Sequence, residues 1–483
     1  MNYQSTRNAA LTASSAEAIL NGLAPDGGLY AMPALAGLDF DWQRCLTLST
    51  QGMATEILCA LLPDFTHAEM EQLVHAAYTG KFETEDLTPT VPVGEDTVLE
   101  LFRGPTSAFK DVALSMLPHL MTAAKKKCGV DDEILILTAT SGDTGKAAME
   151  GFCDVVGTKI IVFYPDGGVS AVQKAQMVTQ GGDNTCVAAV RGNFDDAQTG
   201  VKDIFADAAL ASELDRAGVV LSSANSINWG RLAPQIAYYF AAYAQLLRAG
   251  AVAPGERVDF SVPTGNFGDI LAGYFAKRSG LPVGKLLCAS NSNNVLTDFL
   301  RTGVYDKNRP FLRTMSPSMD ILVSSNLERL LYLAAQDGER VSEWMRALRG
   351  EGKYAVGEEL LRLLADEGFA AFFASEEETA RVLKNGGFFF VAGPGPRHLS
   401  GLKKALYDTP YDNPEKHREY KGFRKIDEIT CDYTVTVHGG AIRDLFAMTP
   451  YYWKTSKSDG EKLQGLERLE TELSFRIGVY RKA

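Results

Sequence analysis

The chain has 483 residues, of which 46% are hydrophobic and 22% charged, and its formal net charge is −12. That length predicts two or three domains rather than one, and the composition is that of a globular protein. The acidic balance speaks against nucleic acid as a partner, and no apolar run is long enough to span a membrane.

The opening residues, Met1-Asn2-Tyr3-Gln4-Ser5-Thr6-Arg7, lack the basic-then-apolar order of a signal peptide. Cys45, Cys59, Cys128, Cys153, Cys186, Cys288 and Cys431 are scattered and never form a Cys-x-x-Cys pair. An odd, scattered set predicts reduced thiols in the cytoplasm, with neither a disulfide framework nor a zinc site. Of the six histidines only His119 lies between residues 100 and 300, so metal or histidine-base chemistry is not expected there.

Residues 1–95 read as a mostly helical N-terminal region, with a Gly-rich turn at Pro25-Asp26-Gly27-Gly28 and helical patterning through Ala68–His75. From 96 to 379 the pattern becomes βα. Apolar runs recur at Glu133–Leu137, Lys159–Phe163, Cys186–Val190, Val258–Val262 and Lys285–Ala289, most of them followed by a polar loop and a helical stretch. Such alternation predicts a parallel sheet covered by helices on both faces, with ligands at the carboxyl ends of the strands. Near residue 380 the charge reverses. Residues 1–379 hold 30 Lys+Arg against 47 Asp+Glu, and residues 380–483 hold 18 against 13, which marks a third region.

Three loops of the middle region carry chemistry. Gly104-Pro105-Thr106-Ser107-Ala108-Phe109-Lys110-Asp111 leads into a helix reaching about Lys127, which Pro118 should kink or shorten. A nucleophilic lysine must lose its proton, and the apolar Phe109, Val112 and Ala113 would desolvate Lys110. Thr138-Ala139-Thr140-Ser141-Gly142-Asp143-Thr144-Gly145 lies between a strand and a helix, where amides and hydroxyls form an anion site. Pro263-Thr264-Gly265-Asn266-Phe267-Gly268-Asp269 has the same setting, and its two glycines let backbone approach a phosphate. A further segment, Ser223-Ala224-Asn225-Ser226-Ile227-Asn228, precedes Arg231, a candidate partner for a phosphorylated or carboxylated substrate, and Tyr238 and Tyr239, which read as core.

From residue 1 to about 378 these motifs, in this order, resemble the longer class of threonine synthases. Tyr3-Gln4-Ser5-Thr6-Arg7, Ala24-Pro25-Asp26-Gly27-Gly28-Leu29-Tyr30, Ser316-Pro317-Ser318-Met319-Asp320 and Ser324-Ser325-Asn326-Leu327-Glu328-Arg329 belong to the same resemblance. It implies an α/β, type II (tryptophan-synthase-β-like) pyridoxal-phosphate fold, with a mostly helical N-terminal region and an atypical C-terminal α/β segment. It also implies that Lys110 carries pyridoxal 5′-phosphate and moves the protons of the reaction. Gly265, Asn266, Phe267, Gly268 and Asp269 would bind the cofactor, with Asp143 near its 3′ oxygen. Ser141, Gly142, Thr144, Asn225, Ser226 and Arg231 would meet the substrate, O-phosphohomoserine, which becomes threonine and phosphate.

The family's Asp-Pro-His-Thr-Ala-type motif and its final strand motif are absent. Instead, Arg381-Val382-Leu383-Lys384-Asn385-Gly386-Gly387-Phe388-Phe389-Phe390, Gly393-Pro394-Gly395-Pro396-Arg397-His398-Leu399, Pro410-Tyr411-Asp412-Asn413 and Phe446–Lys454 resemble the C-terminal half of ribosomal-RNA guanine methyltransferases. The half carrying that family's nucleotide loop and zinc cysteines is missing. The resemblance therefore implies a synthase joined to a methyltransferase remnant that fails to complete the cofactor site, with weak turnover and poor solubility. Three other readings stay open: a divergent synthase whose last domain departs from the family pattern, another type II lyase such as a serine/threonine dehydratase, and a non-catalytic cofactor-binding scaffold.

Overall fold

The computed structural model describes residues 2–32, 40–140, 142–166, 169, 171–192, 194–312, 314, 316–375, 388–413, 423–447, 449 and 455–482. They form two units, one of Met1–Val169 with Gln180–Ala374, the other of Ser170–Thr179 with Ser375–Ala483.

The first unit opens on a small antiparallel sheet in which Tyr3–Ser5 lies between Thr12–Ala13 and Tyr30–Ala31. The helices Ser15–Asn21, Thr50–Leu61 and His67–Tyr78 follow. Two of them start with capping boxes, Ser14 with Glu17 and Thr66 with Glu69, in which each pair satisfies two backbone donors that the first turn leaves free. A hairpin of Thr90–Val93 with Asp96–Leu99 spans the passage from the N-terminal region to the next.

All five anticipated strands are present, and they are parallel to their neighbours. They do not form one sheet, however. Thr185–Val190, Thr158–Pro165, Glu133–Ala139 and Val219–Ser222 make one four-stranded sheet in that order. Val258–Pro263, Val283–Ser290 and Phe369–Phe373 make another of three. Two of these strands, Val219–Ser222 and Phe369–Phe373, were not anticipated. Both are short apolar runs at the ends of helical stretches, where periodicity cannot separate strand from helix.

Pro118 does not shorten its helix, which runs uninterrupted over Asp111–Lys127. Proline lacks the N–H that the Leu114 carbonyl would accept one turn earlier, so that oxygen loses its regular helical donor. Gly151, on the packed helix Asp143–Phe152, lies against it: a Cβ there would sit 2.1 Å from the Leu114 oxygen. The missing hydrogen bond thus falls where another helix closes over it.

The two ends of the first unit are tied to each other. Thr6 Oγ1 donates to Glu328 at 2.6 Å, Arg7 Nε and Nη2 bind the same carboxylate at 2.9 and 2.8 Å, and Tyr332 donates to Gln4 at 2.9 Å.

In the second unit, Phe388–Pro394 and Phe423–His438 flank Arg468–Lys482, which is antiparallel to both. The helices Ser400–Leu406, Ala441–Ala447 and Lys457–Glu461 connect them, and Leu399, Leu402, Leu406, Ile442, Phe446, Leu463 and Leu469 form its core. Residues 381–387, 448, 450 and 451–454 of the C-terminal motifs lie outside the described residues. Strand Phe423–His438 has no described neighbour on its outer edge, and Ile426, Ile429 and Tyr433 on it are 42, 46 and 50% exposed. An open apolar edge invites pairing with other chains. Ile429→Lys should therefore lower concentration-dependent light scattering several-fold while leaving the unfolding midpoint unchanged. Equal scattering from both proteins would clear this edge of blame.

Candidate functional site

Topology brings the loops together. Glu133–Ala139 and Val219–Ser222 are adjacent parallel strands, so the loop reaching Asp143 and the segment Ser223–Asn228 leave the same end of the sheet side by side.

Lys110 ends the Gly104–Lys110 loop immediately before its helix. Asp111 holds that loop: it accepts from the Thr106 N–H at 2.8 Å, the Ala108 N–H at 3.3 Å and the Thr106 hydroxyl. Gly104 is required there, because a Cβ would lie 2.5 Å from that of Asp111. The Lys110 amine is buried, 4.3 Å from the centre of the Phe109 ring and 3.9 Å from Asp143 Oδ2. Burial pushes its pKa down to about 8; Asp143 opposes the shift, Arg231 adds to it, and Asp269 and Asp111 oppose it more weakly. A lysine of that kind is partly neutral near physiological pH, as a nucleophile or base must be.

Asp143 begins the helix Asp143–Phe152 and accepts from the hydroxyl of Ser318, which lies in a short 3-10 turn, Pro317–Met319. Asp320 anchors that turn by accepting from Asn291 at 2.8 Å, Asn293 at 3.0 Å, and the Thr314 N–H and hydroxyl at 2.9 and 2.7 Å. Gly142 and Gly145 both donate their N–H to Thr140 Oγ1, at 2.9 and 2.8 Å, which curls the loop around that side chain. Thr144 is half-buried in the first helical turn, and Ser141 lies outside the described residues.

Strand Val258–Pro263 delivers Gly265–Asp269 at its carboxyl end, where the helix Gly268–Arg278 begins. Phe267 is fully buried and left-handed, with φ of 65°, a strained state for a residue with a side chain. Among the described residues no protein acceptor takes the N–H groups of Gly265, Asn266, Phe267 or Gly268. Consecutive free amides at a helix N-terminus are a cradle for an anion. Asp269 is buried behind them. Burial raises its carboxyl to about 6, against the pull of the Ile270 amide, its own amide and Lys110.

Arg231 is buried, donates from Nη1 to the Ala224 carbonyl, and leaves Nε without a partner. Among the described residues no carboxylate pairs with it, and burial alone lowers its pKa to about 10. A buried cation in that state is costly unless an anion joins it. Asn225 and Ser226 are half-buried beside it, whereas Asn228 caps the helix Trp229–Leu232 through Gly230 N–H at 2.8 Å. Tyr238 and Tyr239 are core, as anticipated, and Tyr239 donates to the Asp269 carbonyl at 2.8 Å.

Lys110, Asp143, Asp269 and Arg231 thus share one electrostatic neighbourhood. Ser318, Asn326 and Arg329 had no assigned role in the sequence, though the motifs that hold them were visible. Arg329 is fully buried and donates from Nε to the Tyr30 carbonyl at 2.9 Å, from Nη1 to Asn326 Oδ1 and from Nη2 to the Ile227 carbonyl.

The chain is similar to several known proteins. The family described as threonine synthase N terminus matches residues 2–78. The threonine synthase of Saccharomyces cerevisiae is 36% identical, over 82% of this chain and 80% of its own length. A crystal structure of pyridoxal-phosphate-bound threonine synthase from Brucella melitensis superposes with a TM-score of 0.72 at 39% identity, covering 80% of each chain. Human threonine synthase-like 1 is 40% identical over 76% of this chain, which spans about half (51%) of that relative's length. The fold is the type II fold of pyridoxal-phosphate enzymes, and the chain belongs to the threonine synthase family.

Proposed function

We propose that the chain converts O-phosphohomoserine and water to threonine and phosphate, with pyridoxal 5′-phosphate as its cofactor. One observation carries the reading: a buried, partly neutral lysine stands beside an amide cradle and a separate buried arginine that lacks an anion. The cradle fits the cofactor's phosphate, and Arg231 fits the substrate's. Lys110 is the residue that would hold the cofactor, with Gly265–Gly268 on its phosphate, Asp143 beside its 3′ oxygen and Asp269 behind. When bound, the cofactor supplies an electron sink. Lys110 then takes the α proton and moves protons at the next carbon; phosphate leaves from the γ carbon and water adds at the β carbon. Ser141, Gly142, Thr144, Asn225 and Ser226 would seat the substrate with Arg231.

We further assign residues 1–95 to the N-terminal region, 96–379 to the catalytic core and 380–483 to a remnant like the C-terminal half of a ribosomal-RNA guanine methyltransferase. The half-sheet with its last strand between the other two supports that assignment, as does the charge reversal. Because the family's own C-terminal motifs are missing, turnover should be slow. The cytoplasm, which keeps cysteines reduced, suits the seven free thiols.

The test is product analysis with O-phosphohomoserine. Phosphate with threonine supports the reading; a keto acid with ammonia would transfer the chain to the dehydratases. Arg231→Ala should lower kcat/KM for this substrate roughly a hundredfold, the effect of losing a charge-assisted contact and its geometry, while cofactor affinity moves less than about threefold. Equal loss of both would make Arg231 a structural residue.

A further inference from the structure

Four carbonyls from the two anion-facing loops converge on one segment. Ser324 Oγ donates to Gly265 O, and the Asn326 N–H to Asn266 O at 3.0 Å. Asn326 Nδ2 donates to Ser226 O at 3.0 Å, and Arg329 Nη2 to Ile227 O. Peptides are planar and trans, so the N–H groups that follow these carbonyls, on Asn266, Phe267, Ile227 and Asn228, point away from residues 324–329, the last of them to the Asn225 carbonyl at 3.1 Å. The segment therefore sets the direction in which both loops present their donors.

We propose that Asn326, locked by Arg329, is a positioning residue that couples the amide cradle at 265–268 to the Asn225–Ser226 segment. An anion seated in the cradle thereby also fixes the segment to which Arg231 is bonded. Asn326 is fully buried, and among the described residues it alone bonds to both loops, through its main-chain N–H on one side and its side-chain amide on the other. The lock has a chemical cause. A guanidinium only donates, so the Asn326 oxygen must face Arg329, and its NH₂ is left for Ser226. The inference rests on the reading of 265–268 as a phosphate site, but the link itself is readable without any ligand.

Asn326→Asp separates the functions. It keeps the main-chain bond to Asn266 and an acceptor for Arg329, whose guanidinium faces the added charge, and it replaces the donor to Ser226 with a carboxylate oxygen that cannot bond there. Amide exchange on the full chain, with pyridoxal 5′-phosphate as probe, reads the result. Without the probe, exchange in residues 223–230 should rise about tenfold, as expected for one lost buried hydrogen bond, while 263–270 stays within about twofold. Adding the probe should slow both segments in the wild type and only 263–270 in the variant. Unchanged exchange at 223–230 in the free variant, protection of both segments in the liganded variant, or a uniform rise across the chain would each overturn the coupling. A wild type whose 263–270 ignores the probe, with the ligand-free difference intact, would instead count against the phosphate reading. If Asn326→Asp does not fold, Asn326→Ala is read by the same criteria.

Discussion

Lys110→Ala should lower turnover at least about a thousandfold, since on the proposed reading it removes both the anchoring amine and the general base in one step. The wild type loaded with pyridoxal 5′-phosphate should show a visible absorption band that borohydride abolishes, leaving its label on the peptide that contains Lys110. A label on another lysine would refute the assignment. The same residue makes a second, opposite prediction for stability without cofactor. Its pKa is about 8 in the fold and about 10.4 in an unfolded chain. Between those values the unfolded chain binds a proton that the folded chain lacks, so stability rises with pH there; below 8 the penalty for a buried charge is full. Lys110→Met keeps the volume and removes the charge. It should stabilise the cofactor-free protein by on the order of 3 kcal/mol at pH 7, and that advantage should fade as pH climbs past 10. Urea titrations at pH 7 and 10.5 decide it, and an advantage that grows with pH would contradict the burial of the amine.

Gly151→Ala should destabilise by about 3 kcal/mol, although alanine is the better helix former by about 1 kcal/mol. The new methyl would lie 2.1 Å from the Leu114 carbonyl oxygen, and that oxygen belongs to backbone and cannot swing aside. Relief requires the helices Asp111–Lys127 and Asp143–Phe152 to part, which displaces Lys110 and Asp143 at their starts. Gly200 is the control. It is exposed in the helix Phe194–Ala206, and a Cβ there meets nothing within 4 Å. Gly200→Ala should stabilise by up to about 1 kcal/mol. Denaturant midpoints moving in opposite directions would support the account, whereas a neutral Gly151→Ala would mean that the two helices pack less closely.

The sequence carried much of this site because its chemistry is local. Lys110 sits within eight residues of everything that frames its loop, and the Gly265–Gly268 cradle is written as glycines between a strand and a helix. Strand pairing was another matter. Nothing in the run Val258–Val262 says that it shuns Glu133–Leu137 and pairs with Lys285–Ala289, because register and partner are settled by contacts far apart in the chain. Arg329 shows the same limit. Its meaning lies in two carbonyls and an amide contributed by Tyr30, Ile227 and Asn326, and no spacing announces them. Ser318 became legible only once Asp143 was seen beside it. Pro118 misled for a related reason: the helix that packs over the freed Leu114 carbonyl, through Gly151, comes from elsewhere in the chain.

The bonds joining Thr6 to Glu328 and Gln4 to Tyr332 connect residues 322 and 328 positions apart. During synthesis at roughly 5–20 residues per second, the first strand is made some 15–65 s before Glu328 and Tyr332 exist. Tyr3, whose ring packs 5.2 Å from that of Trp229, must wait as well. Over that interval the strand has its own sheet partners, Thr12–Ala13 and Tyr30–Ala31, but the side chains that close onto Trp229, Glu328 and Tyr332 lack that part of their native surface.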